Sequence, residues 1–144
     1  MYVETIFCEN MGPIEKAVIR AGFTPEGNPK PIVLVGKNGS GKSIMLSNVV
    51  DALHELGGQA FRDVTKKNGN GHKYFKIGHH SQITFGADHL MGYVSFSTGA
   101  KERLEYLYCQ GMVTTDSARK TLTDAGVNDS ELEVRGLGWN PKRW

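Results

Sequence analysis

Gly36-Lys37-Asn38-Gly39-Ser40-Gly41-Lys42-Ser43 places three glycines, a lysine and a hydroxyl residue at the spacing GxxxxGK[ST]. The chemistry served by this pattern is phosphate binding. Glycine reaches backbone conformations with positive φ, so the N–H groups around Gly36, Gly39 and Gly41 can converge on phosphate oxygens. A helix starting directly afterwards adds its unpaired N-terminal donors and the positive end of its dipole. Lys42 then brings a mobile charge to the β- and γ-phosphates, and the Ser43 hydroxyl supplies a ligand for Mg2+.

Two elements must position that loop. Ile32-Val33-Leu34-Val35 is apolar at every position, which predicts a strand buried on both faces, as in a parallel sheet covered by helices. After Ser43, Leu46, Val49, Val50, Leu53 and Leu56 recur at spacings of three and four, the apolar face of a helix. Asp51, His54 and Glu55 read as its solvated face, and Gly57-Gly58 as its end.

The sequence GKNGSGKS followed by Ile-Met-Leu-Ser-Asn-Val-Val-Asp-Ala-Leu resembles the ABC-type P-loop ATPases of the AAA family. The closest branch is the SMC/RecF-like group that acts in DNA repair and genome defence, in which Asn38 and Ser40 are typical. Tyr2 to Ile19, with its Asn10-Met11-Gly12-Pro13 turn, is similar to the opening of those proteins, so the likeness spans about residues 2 to 56. It implies an α/β P-loop NTPase fold, the N-terminal part of a head domain with a small antiparallel β lobe after the first helix. It also implies ATP and Mg2+ as ligands. Gly36, Asn38, Gly39, Ser40, Gly41, Lys42 and Ser43 would hold the nucleotide, with Lys42 also catalytic and Ser43 on the metal. In that family ATP is sandwiched between two heads, so a second ATPase head is the implied partner, in a homo- or heterodimer. DNA or an effector protein is a further one. A family glutamine that touches magnesium and the attacking water has a candidate in Gln110, although a lone glutamine reads first as a surface polar residue. Ser97-Thr98-Gly99-Ala100-Lys101-Glu102-Arg103-Leu104 resembles the family's signature motif, and reads also as a strand-end turn with Ser97 or Thr98 capping a helix.

The chain of 144 residues fits one domain, residues 1–144, with 39% hydrophobic and 22% charged residues, ordinary for a folded protein. Its net charge of +2 gives no electrostatic case for nucleic acid, and the basic groups Lys66-Lys67, His72-Lys73-Lys76 and Lys142-Arg143 read as solvated loops. No apolar run reaches a membrane span, and no signal-peptide core opens the chain. The loop implies the cytoplasm, where Cys8 and Cys109 stay as thiols. The five histidines show no metal-ligand spacing.

Elsewhere, residues 2–8 and 13–20 read as strands and 21–31 as a loop. Asn-Gly at 68–69 and 70–71 reads as a turn, and 74–77, 81–85 and 89–96 as strands. Leu104, Leu107 and Tyr108 suggest a helix from Ala100 to about Cys109. A second helix capped at Thr115-Asp116 runs to about Ala125 and stops at Gly126.

Hydrolysis needs more than a cradle. It needs an acid at the end of an apolar strand for the metal and a group to orient water. Met112-Val113-Thr-Thr-Asp116 is the nearest approach to such a strand. The leading expectation is therefore a Mg-ATP-binding portion completed by sequence elsewhere or by another chain. A non-catalytic module whose nucleotide state controls assembly is the alternative. A small P-loop kinase, with Arg103, Arg119 and Arg135 as scattered lid candidates, is the third.

Overall fold

The computed structural model describes residues 1–60, 80–97 and 103–127. Strands β1 (Tyr2–Met11) and β2 (Ile14–Arg20) form an antiparallel hairpin. Asn10 (φ 52°) and Gly12 (φ 58°) carry its turn in the left-handed region, which asparagine tolerates better than most residues. This irregularity lets Met11 share a core cluster with Cys8 although three positions separate them. Helix α1 (Lys42–Ala60) follows, then β3 (His89–Ser97), β4 (Arg103–Gly111) and α2 (Thr115–Asp124). The sheet order is β2-β1-β3-β4, and all three pairings are antiparallel.

Side-chain alternation divides the core into two layers. Ile6, Cys8, Val94, Phe96, Tyr106 and Tyr108 cluster with Met45 and Ala52 of α1. Phe7, Met91, Tyr93 and Leu107 cluster with Ala118 and Leu122 of α2, and with Val127. One helix therefore covers each face of the sheet. At the start of α2, Thr114 and Ser117 form a reciprocal capping box. At its other end the Arg20 guanidinium donates to the Ala125 carbonyl at 2.6 Å.

This architecture overturns the expected fold class. It is a four-stranded antiparallel sheet with two helices, not the parallel α/β sheet of a P-loop NTPase. The run Ile32–Val35 forms no strand, and among the described residues its backbone makes no hydrogen bond. Ile32, Val33 and Val35 are 39%, 78% and 90% exposed. An all-apolar run becomes a buried strand only where neighbouring strands flank it, and here the paired strands have all joined antiparallel to β1 or β3. Nor do the described residues after α1 form a separate β lobe, because β3 and β4 continue the sheet begun by β1 and β2.

Other expectations shift as well. The helical side facing the sheet carries Met45, Asn48 and Ala52, whereas Leu46, Val50 and Leu53 are 53%, 50% and 40% exposed. Asp51, expected in solvent, is 2% exposed. The helix continues through Gly57-Gly58 to Ala60. Residues 103–111 are strand, not helix: Leu104, Tyr106 and Tyr108 alternate to one face and Glu105, Leu107 and Cys109 to the other, a period of two that also suits tyrosine. In place of a strand at 81–85 there is a short 3-10 turn, His80–Gln82, and a single bridge from Ile83 to Met11. The strand at 74–77, the Asn-Gly turns and the three basic clusters lie outside the described residues. The second helix matches its expected bounds closely, with Gly126 at φ 74° ending it.

The buried sheet and the outer face of α1 give a direct test. Leu90→Ala, in the central strand and fully buried, should cost about 2–5 kcal/mol of stability. Leu46→Ala, on the exposed face, should change it by no more than about 0.5 kcal/mol. Urea denaturation midpoints of the two variants measure the difference.

Candidate phosphate-binding site

The loop 36–43 sits against the turn of the β1–β2 hairpin. Gly41 (φ 90°) is buried there, and a β-carbon on it would lie 2.8 Å from Ile14 Cδ1 and 3.3 Å from Pro13 Cγ. On the other side of the turn, a β-carbon on Gly12 would lie 2.6 Å from Ile44 Cδ1. Glycine is needed at both points because backbone meets side chain with no room between, and because both φ values are positive.

The Met45 N–H donates to the Gly41 carbonyl at 2.9 Å, which makes Gly41 the residue that opens α1. The N–H groups of Lys42, Ser43 and Ile44 then have no acceptor within the helix. Gly39 (φ 79°) bends the chain ahead of them. The Lys42 ammonium folds back over the loop, donating to the Gly36 carbonyl at 2.8 Å and the Lys37 carbonyl at 2.7 Å, with Ser40 Oγ at 3.5 Å. Free helix donors and a lysine charge thus converge on the loop, and no acidic residue lies in the first turn of α1 to oppose an anion. Asn38, Gly39, Ser40 and Ser43 are exposed. A cavity of about 550 Å³ opens alongside, between β2, residues 33–35 and Lys42.

The remaining sequence candidates are not brought to this loop. Gln110 is on β4, the edge strand, where its carboxamide oxygen accepts from the Tyr108 hydroxyl at 2.9 Å. Two strand spacings, about 10 Å, separate β4 from β1. Burial, with the Asp51 carboxylate nearby, pushes the Tyr108 hydroxyl up to about 12. Of the signature-like segment, residues 98–102 are not described. Ser97 ends strand β3, and Arg103 and Leu104 enter strand β4 instead of a helix. Thr114, in the Met112–Asp116 run, caps α2 instead of lying in a strand, and Asp116 falls in that helix's first turn. None of the four described strands ends in Asp or Glu.

Two of the three candidate lid arginines serve the opposite face. Arg103 Nε is 3.0 Å from Glu4 and 3.4 Å from Glu105, whose carboxylate also accepts from Tyr93 at 2.7 Å. Arg119 pairs with Asp116 on α2 at 3.9 Å, and Arg135 is outside the described residues. Cys8 and Cys109 are free thiols on opposite faces of the sheet, with β3 between their strands, and burial pushes both up to about 12. Among the described residues no group of three or more His, Cys, Asp or Glu side chains is placed to hold a metal ion. None of the described helices is long and apolar enough to cross a membrane.

One charged cluster escaped the sequence reading, because its members are far apart in the chain. His89 Nδ1 lies 2.6 Å from Asp88 and its Nε2 3.4 Å from Glu9, whose other oxygen is 3.6 Å from Lys16. Burial alone would lower the His89 pKa, but the Asp88 and Glu9 carboxylates outweigh it and raise it above 6.5. The hydrogen bond from His89 in turn holds the Asp88 carboxyl below its ordinary value.

The chain matches no known family model and no curated protein sequence.

The cluster predicts a pH dependence. A raised histidine pKa contributes stability that is complete below the unfolded value of 6.5 and is lost as pH rises through the folded value. The lowered Asp88 contributes above its unfolded value of 3.8 and is lost as pH falls through its folded one. Stability from this pair should therefore be greatest between those two values. An NMR titration should place the His89 midpoint above 6.5 and show it falling in Glu9→Gln.

Proposed function

We propose that this chain binds a Mg2+-nucleoside triphosphate, ATP by the resemblance of its loop, through residues 36–43, and is the phosphate-holding portion of an ATPase. The observation that carries the reading is the loop itself. Positive-φ glycines, the unpaired N-terminal donors of α1 and the Lys42 ammonium, held 2.8 Å and 2.7 Å from two loop carbonyls, meet at one point. When a phosphate group enters, the ammonium exchanges carbonyl partners for charged oxygens, a stronger class of hydrogen bond. Lys42 would then steady the β- and γ-phosphates.

The residues at the loop fit a magnesium ion delivered with the nucleotide. Ser43 offers one exposed hydroxyl beside Lys42 and no carboxylate shares its turn, so phosphate and water oxygens would fill the remaining positions. Magnesium accepts that arrangement because it keeps several waters and is commonly held through substrate phosphates. Gln110, tied to Tyr108, has no part in this reading.

In this proposal the acids for hydrolysis come from another segment or another chain, such as a second ATPase head. Exposed Ile32, Val33 and Val35, with Leu46, Val50 and Leu53 on α1, supply apolar surface for such a partner. The same surface suits the second reading, a non-catalytic module whose nucleotide state governs assembly. A role in DNA repair or defence, with DNA or an effector protein bound, and a cytoplasmic location rest on the resemblance alone. The kinase reading is disfavoured by Arg103 and Arg119, which are paired on the α2 side.

Calorimetry with Mg-ATP should show binding that Lys42→Ala weakens by about 10- to 100-fold, the loss of a charge-assisted contact. The isolated chain should show no turnover. Lys42-dependent hydrolysis would place the acids within this chain, and binding indifferent to Lys42→Ala would remove the reading.

A further inference from the structure

The cavity beside Lys42 has a chemistry of its own. Its β2 wall includes Ile14, Glu15 and Ala17, and across from them stand Val33 and Val35. Lys16 also borders it, but its ammonium is drawn to Glu9 at 3.6 Å and over the Phe7 ring at 5.8 Å. Among the described residues lining this space, Lys42 is thus the cation available to a ligand and Glu15 the acid. A second anionic group would meet a carboxylate and apolar side chains. A flat ring would instead cover Val33 and Val35, which are 78% and 90% exposed. A volume of about 550 Å³ falls in the range of small-molecule sites.

Resting on the phosphate reading above, we propose that this cavity takes the nucleoside end of the bound nucleotide, with Glu15 accepting hydrogen bonds from the ribose hydroxyls. A carboxylate is acceptor-only and pairs well with a vicinal diol, the same use that dinucleotide-binding folds make of an acid on ribose. The base then lies along Val33 and Val35 while the phosphates reach Lys42. The ligand class is therefore a ribonucleoside triphosphate, and a bare polyphosphate is discriminated against. Glu15 is an exposed residue of an edge strand, so replacing it leaves the core intact.

The test is calorimetric titration of the full chain with Mg2+ complexes of ATP, 2′,3′-dideoxyATP and inorganic tripolyphosphate. The same ligands are titrated into Glu15→Ala and Lys42→Ala. Tripolyphosphate should bind at least about tenfold more weakly than ATP, and dideoxyATP about three- to tenfold more weakly, matching one partly exposed charged hydrogen bond. Glu15→Ala should abolish the difference between ATP and dideoxyATP without weakening tripolyphosphate. Equal, Lys42-dependent affinity for ATP and tripolyphosphate would overturn the nucleoside site and leave the phosphate cradle standing. A difference between ATP and dideoxyATP that survives Glu15→Ala would overturn the role of Glu15. No binding of any ligand, or binding untouched by Lys42→Ala, would overturn both this inference and the phosphate reading.

Discussion

The two glycine contacts at the hairpin turn set the rest of this molecule. Gly41 lies against Ile14 and Pro13, and Ile44 lies against Gly12, so the start of α1 is fixed to β2 at backbone distance. A β-carbon at Gly41 would collide with Ile14 on β2, whereas at Gly12 it would meet the end of the Ile44 side chain, and both positions hold a positive φ. With the helix start pinned, Lys42 can only project over the loop, and the first free N–H groups of α1 open toward the same space. The geometry of the candidate phosphate loop therefore follows from a packing constraint between a loop and a hairpin.

The same pin sets the rotation of α1. About 100° separates successive residues around a helix. Directing Gly41 and Ile44 at the hairpin brings Met45, Asn48 and Ala52 onto the sheet and sends Leu46, Val50 and Leu53 outward. The cost is visible in Asn48, a buried amide that reaches the Phe7 carbonyl at 3.4 Å and Cys8 Sγ at 3.7 Å, long bonds for a buried group. Optimising hydrophobic burial alone would have rotated the helix the other way. That it does not leaves apolar surface exposed on the outer side of α1, in addition to the exposed segment at 32–35.

The sequence was legible where the signal was local. Gly36 to Ser43 pointed to the loop and the helix after it, and Thr115-Asp116 with Gly126 bracketed α2, with the cap one residue earlier at Thr114, because caps and glycine turns act within one helical turn. It misled where the signal depended on distant partners. Four branched apolar residues at 32–35 look the same whether or not strands flank them. Leu104, Leu107 and Tyr108 matched a helical spacing while Tyr106, read in the same window, carried the strand period. The His89, Asp88 and Glu9 cluster joins residues from the ends of two strands, and only the pairing of β1 with β3 brings them together. Glu15 gave no signal at all in the sequence, since its standing comes from the wall it shares with Val33 and Val35.

The division of the sheet into two faces also bears on chemistry. On the α2 face, Tyr93, Glu105, Arg103 and Glu4 satisfy one another, and burial followed by the Glu105 charge pushes the Tyr93 hydroxyl far above its usual range. Groups so engaged hold a structure and are poorly placed to donate or take a proton near neutral pH. The loop lies on the other face, where a lysine, helix donors and a hydroxyl are gathered, and none of the described strands ends in an acid there. In the proposed function such a set would bind and orient a polyphosphate without activating water against it. Under that proposal, separating the two tasks would make turnover conditional: the cradle would load its nucleotide first, and hydrolysis would wait for whatever brings the acid.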